Sequence, residues 1–181
     1  MSHVALPEIC LINDVTDITP NDLLMRNVGL IGLDVENILT DYKDSVVRPE
    51  VKEHLGMLAS TVVNLEFILL SNSTDAGFME EVAAQLNKTE FLHKNGSLAG
   101  KTKPEMFEAA LAMFHEHMFD EDSRRLYSAV HVDDQWKSFF GVASANWNTF
   151  FWSLPYGQKQ HPGVRLARPA ERLLRAGISR I

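Results

Sequence analysis

Two carboxylates, Asp34 and Glu36, stand one position apart at the end of an apolar run in GLIGLDVENILTDY, residues Gly29 to Tyr42. Two more polar clusters follow apolar runs further along: Ser71-Asn72-Ser73 after LEFILL, and Asp133-Asp134-Gln135 after RLYSAVHV. In an open parallel sheet, ligands bind outside the carboxyl ends of the strands, so neighbouring strands would bring the three clusters to one edge. Acids, a hydroxyl with nearby backbone amides, and a lysine from GKTKPE are the groups needed to handle a phosphoryl group and a divalent cation. Mg²⁺ suits them, because it takes carboxylate and carbonyl oxygens. Taken singly, each cluster has a plainer reading: acids at a strand end start turns or cap helices, and SNS can cap the helix that follows it.

The elements that would position these groups are legible from periodicity. LIGLD and LEFILL are short apolar runs with turn-type boundaries, as in buried strands of a parallel sheet. TEFLH, RLYSAVHV and TFFWSL supply further strands. Between them lie helical stretches: residues 49–60 with Val51, Leu55 and Leu58 on one face, 75–86 with Phe78, Val82 and Leu86, and a third from Lys103 with Phe107, Ala110, Leu111 and Phe114. SFFGVASAN reads as a short helix. Strands alternating with helices predict a single α/β domain over residues 1–181, Rossmann-like, with a mostly parallel sheet flanked by helices. Residues 1–28 read as an irregular lead-in with one short helix, capped by Thr19 with Pro20 in its first position. Trp147 and Trp152 read as core, Cys10 as an inert small apolar residue, and His115 and His117, two apart on a helix, as facing different ways.

Composition narrows the function. The chain has 181 residues, 45% of them apolar, and a net charge of −7, a balance against nucleic-acid binding through general phosphate attraction. One cysteine cannot form an internal disulfide. No signal-type N-terminus and no apolar run of membrane-spanning length is present, so a cytoplasmic setting is expected. From Gln158 onward, Lys159 and five arginines face one acid, Glu171, a net +5 that leaves −12 for the rest. This basic tail, 158–181, reads either as a helix docked on the acidic body or as a basic amphipathic segment in peripheral contact with anionic lipid.

The ordered set LDVENIL, LLSNS, KTKPE and VHVDDQ resembles the four motifs of the haloacid-dehalogenase (HAD) superfamily. With LPE…ITPNDLLMRNVG ahead of them and a basic tail behind, the chain is similar to the YqeG-type phosphatases of class III, which carry no large cap domain. The resemblance implies a Mg²⁺-dependent phosphomonoester hydrolase in which Asp34 is the nucleophile that forms an aspartyl-phosphate and Glu36 the general acid and base. It also implies that Ser71 and the Asn72 backbone N–H hold phosphate, and that Lys103 balances charge, with Lys101 the neighbouring alternative. Asp34, the carbonyl of Glu36 and Asp134 would then surround the metal. The implied partner is a phosphorylated metabolite or a phospholipid headgroup such as that of phosphatidylglycerophosphate. Four positions depart from the pattern: Glu36 replaces an aspartate, Ile38 a threonine, Asp133 a glycine and Phe139 an aspartate. Glu36, Asp133 and Phe139 support a second expectation, a catalytically weak or inactive HAD-like protein that binds phosphate or metal.

Overall fold

The structure is a computed structural model, and it describes residues 6–87, 90–95, 98–117, 127–154 and 173–177. In chain order the strands are β1 (Glu8–Leu11), β2 (Val28–Asp34), β3 (Glu66–Ser71), β4 (Phe91–His93), β5 (Ser128–Asp133) and β6 (Thr149–Trp152). The helices are α1 (Pro20–Met25), α2 (Pro49–Thr61), α3 (Ala76–Gln85), α4 (Glu105–His117) and α5 (Phe139–Ser144), with single 3-10 turns at Val15–Asp17 and Trp136–Ser138. All pairings are parallel and form one six-stranded sheet in the order β1-β6-β5-β2-β3-β4.

Local chemistry explains the helix starts. Thr19 and Asp22 exchange side-chain and backbone bonds in a capping box around α1, with Pro20 in its first turn. Pro49 opens α2, and the Asp75 carboxylate accepts from Phe78 N–H to start α3. Every residue of β2 is buried, as a central strand covered on both faces requires. One core joins Ile31 and Leu33 of β2 to Val51, Leu55 and Leu58 of α2 and to Met79 and Val82 of α3. A second core joins Leu30 to Met106, Phe107 and Phe114 of α4, Val142 of α5 and the expected Trp147 and Trp152.

The lead-in differs from its expected irregular form. Glu8–Leu11 adds as an edge strand parallel to β6, in register from Glu8↔Thr149 to Leu11↔Trp152. Four residues without alternation carry no strand signal of their own, and the pairing is made by a segment far away in the chain. Cys10 therefore lies in a strand, half-buried, with burial pushing its thiol up to about 11.

From β2 the chain fills one side of the sheet with β3 and β4, then crosses to β5 and β6 on the other. The strand order reverses between β2 and β5, which is where open α/β sheets form their ligand crevice. Asp34 ends β2 and Asp133 ends β5.

Of the basic tail, only 173–177 is described, as a helical turn; the remainder of 158–181 lies outside the described residues. Arg175 in that turn donates to the carbonyls of Trp152, at 2.7 Å, and Ile12, and lies 5.9 Å from the Trp152 ring centroid. This part of the tail sits on the carboxyl ends of β1 and β6. Among the described residues no helix is long and apolar enough to cross a membrane.

Candidate active site

Asp34 is buried, and directly beyond it the chain turns. The N–H groups of Leu39 and Thr40 donate to Val35 O at 2.9 and 3.1 Å, and Asn37 N–H donates to Thr40 O at 2.8 Å. Asn37 takes φ 67°, a left-handed conformation that asparagine tolerates better than most residues. Buried Arg48 braces this turn: its guanidinium donates to Ile38 O at 2.5 Å and pairs with Asp14 at 2.8 Å, while its N–H donates to Leu39 O at 3.0 Å. Ile38 itself is core, so the turn is held by packing and by Arg48.

Lys101 enters from the loop between β4 and α4 and is 1% exposed. Its ammonium pairs with Asp34 Oδ1 and, at 2.8 Å, with Asp133 Oδ2. Asp133 is the hub of the cluster. Its Oδ2 also meets His131 Nε2 at 3.1 Å and accepts from the Ser138 hydroxyl at 2.6 Å, and its Oδ1 accepts from Gln135 N–H at 2.7 Å. Asp34 receives Lys101 and its neighbour Val35 N–H at 2.8 Å.

This asymmetry decides where the charge resides. Burial alone would push Asp133 up, but the Lys101 ammonium and the His131 contact outweigh it and hold the carboxyl well below the usual carboxylate range. For Asp34, burial and then the Asp133 charge push the carboxyl well above that range, with Lys101 offsetting only part. Of the two, Asp133 is the acid whose charge its neighbours favour, and Asp34 is the one whose charged form gains most from a further cation beside it. Burial opposes the charge on Lys101, yet Asp133 and Asp34 keep it firmly protonated. His131 is pushed down by burial, although its Nδ1 faces Gly32 O at 2.8 Å and its Nε2 faces Asp133, two acceptors that favour the imidazolium.

The other expected residues are arranged around this cluster. Glu36 Oε1 accepts from Lys43 N–H at 3.1 Å across the turn. Ser71 ends β3 beside Asp34, buried, its hydroxyl accepting from Ser73 N–H at 3.0 Å. Asp34, Glu36, Asn37, Asn72, Lys101 and Gln135 line a small cavity of about 30 Å³. Glu36, Tyr42 and Asn72 are shared with a wider cleft of about 500 Å³, which runs past Ser73, Thr74 and Phe78. Asp134 is buried, and its backbone carbonyl accepts from the Trp152 indole at 3.3 Å.

Two expectations need correction. The lysine among the acids is Lys101. Lys103, the expected residue, is exposed on the same turn, and its N–H donates to Gly100 O at 3.0 Å. Asp133, expected to take only the place of a glycine, makes more contacts than any other acid here. The position five after Asp134 is Phe139, which stacks on Trp136 at 4.7 Å, whereas Ser138, five after Asp133, supplies the supporting hydroxyl. Reading the sequence also overlooked His131, whose signal was a polar residue inside an otherwise apolar strand, and Arg48.

No protein-family model matches the chain, and comparisons with curated proteins and with solved structures give no match.

The donor set fits a hard divalent cation. Oxygens of Asp34, Asp133 and Asp134 lie within 4.8 Å of one another and all three residues are buried. Three buried acids cluster at the Lys101 ammonium, burial disfavours a second positive charge on His131, and an ion that prefers oxygen ligands would favour the carboxylate forms. Asp133 is already in contact with Lys101, His131, Ser138 and the Gln135 N–H, so Asp34 and Asp134 are the better placed ligands.

Proposed function

We propose that the chain is a Mg²⁺-dependent phosphomonoester hydrolase of the HAD type, acting through Asp34. The observation that carries this reading is Asp34 itself: a carboxylate at the switch point of a parallel sheet, held by a buried lysine and facing two further buried acids. Its Oδ1 is oriented by Lys101 and Val35 N–H, which leaves the group fixed rather than free to rotate, as an attacking carboxylate must be. Attack on phosphorus forms the Asp34–phosphate bond and breaks the bond to the leaving oxygen, which takes its proton from Glu36. Glu36 then withdraws a proton from water as the water oxygen attacks phosphorus, releasing phosphate and restoring Asp34. Lys101 neutralises charge that gathers on the phosphoryl oxygens and on Asp34, and Asn72 and Ser71 bound the space those oxygens would occupy. A bound Mg²⁺, held by Asp34, Asp134 and the carbonyl of Glu36, would supply further charge stabilisation. The open cleft beyond Tyr42 suits a leaving group that is not enclosed, on a phosphorylated metabolite or a phospholipid headgroup.

One observation favours the second reading, a protein that binds phosphate or metal with little turnover. Glu36 spends one carboxylate oxygen on Lys43 N–H, so proton transfer requires its other oxygen to reach the leaving group. Phosphate release from an aryl phosphate, with and without Mg²⁺, separates the two. Metal-dependent release that disappears in Asp34→Asn supports the hydrolase. Release equal in wild type and Asp34→Asn, or none from a broad panel of phosphomonoesters, leaves the binding protein.

A further inference from the structure

The Lys101 ammonium is delivered to acids on β2 and β5 from a turn that has neither strand nor helix geometry, between β4 and α4. A four-carbon side chain on a free turn would sample many positions, so something must hold the backbone that carries it. Two walls do so. On one side, the Asn72 carboxamide oxygen, from the loop after β3, accepts the Lys101 N–H at 2.9 Å. This contact is close because the preceding residue is Gly100: a Cβ there would stand 2.5 Å from the same oxygen. On the other side lies Gly141 of α5. A Cβ at Gly141 would come within 2.4 Å of Lys101 O, 2.9 Å of Lys103 O and 2.5 Å of the Phe107 ring. Two of those three atoms are backbone, so an added methyl has to move the turn itself.

We infer that Asn72 and Gly141 are positioning residues for Lys101: Asn72 pins its N–H, Gly141 admits its carbonyl against α5, and together they set the ammonium between Asp34 and Asp133. The Asn72 side chain, on this inference, serves the lysine rather than a ligand. A buried ammonium shifted away from either acid leaves an uncompensated charge, which is why its backbone must be placed and not merely tethered. None of this depends on turnover.

Lys103 provides an internal standard, since it is exposed two residues along the same turn. The full chain is treated briefly with an amine-acylating reagent, and acylation at Lys101 relative to Lys103 is read by peptide mass spectrometry. In the wild type Lys101 should be nearly unlabelled. Asn72→Ala should raise the ratio about fivefold to tenfold, the opening expected from losing one buried hydrogen bond, and Gly141→Ala about tenfold or more, because its methyl displaces the turn backbone. Asn72→Asp, which keeps an acceptor for the Lys101 N–H, should return the ratio close to that of the wild type. Should Gly141→Ala fail to fold, the two Asn72 variants decide. An unchanged ratio in a variant with the wild-type unfolding midpoint overturns the role of that residue. Asn72→Asp labelling like Asn72→Ala would show that the acceptor is not what holds the turn.

Discussion

The two ends of one sheet gather nearly the same side chains and make different things of them. At the carboxyl end, Asp34, Asp133 and Asp134 meet Lys101 and His131, all buried. At the amino end, Glu66 opens β3, Glu90 precedes β4, and His117 closes α4. His117 Nδ1 lies 3.1 Å from Glu66 and its Nε2 3.1 Å from Glu90, with 43% of the His117 side chain exposed. In water, such pairs interact weakly and are screened by salt. In the interior, each charge depends on its neighbours, and the protonation of one acid is set by the contacts of the next. Burial and fixed geometry, rather than residue type, separate a candidate active site from a surface staple.

The most damaging way to break the contrast is to remove the buried cation. Lys101→Met leaves three buried acids without their ammonium and should cost about 3–5 kcal/mol of stability by urea unfolding, the range for breaking a buried charge network. A loss under about 1 kcal/mol would place this cluster with surface pairs. Next in size is the chemistry. Glu36→Ala should slow phosphate release about 100-fold, the usual order for losing a general acid, while Glu66→Ala at the other end should leave the rate unchanged. Glu36→Asp sharpens the point, since a faster variant means that the extra methylene of glutamate hampers proton transfer and a slower one that the turn is fitted to it.

A smaller effect divides the two neighbouring acids. If Asp134 is a direct ligand, Asp134→Asn should weaken Mg²⁺ in a calorimetric titration by at least the roughly tenfold that loss of an outer-shell partner costs. Asp133→Asn should act mainly on stability, because Asp133 is bound by Lys101, His131, Ser138 and Gln135. Equal loss of Mg²⁺ affinity in both would erase the distinction. The pH dependence of Asp133 follows from its depressed value. Its contribution is present above the ordinary aspartate range and is lost only as pH falls through the folded-state value, well into acid.

The smallest effect belongs to the amino end. The hydrogen bond to Glu66, then the charges of Glu66 and Glu90, raise His117 above its ordinary 6.5. Its folded-state imidazolium is favoured, so the contribution is full below that ordinary value and fades as pH rises through the folded one. His117→Gln should therefore lower the unfolding free energy slightly in mild acid, by less than about 1 kcal/mol by urea unfolding, and hardly at all in mild alkali. A difference that persists in alkali would mean that neutral packing, not charge, holds this corner together.

Local sequence determined the alternation of strands and helices, the cap at Thr19, and the placing of acids and hydroxyls at the ends of β2, β3 and β5, while the cap of α3 expected from SNS is made by Asp75 instead. Those features depend on periodicity and on bonds within a few residues, so a single chain read in order contains them. Tertiary structure alone decided between Lys101 and Lys103. Both stand on one turn with similar neighbours, and what separates them is that the Lys101 ammonium meets Asp34 and Asp133, acids brought there by β2 and β5 from far away in the chain. It also decided that Glu8–Leu11 is a strand, because an edge strand is made by the partner it pairs with, and that the contacts favouring a charged carboxyl gather on Asp133 more than on Asp34. A carboxyl's protonation follows from how many donors surround it in space, and the donors of Asp133 are brought together by β5, the turn after it and the distant Lys101 loop.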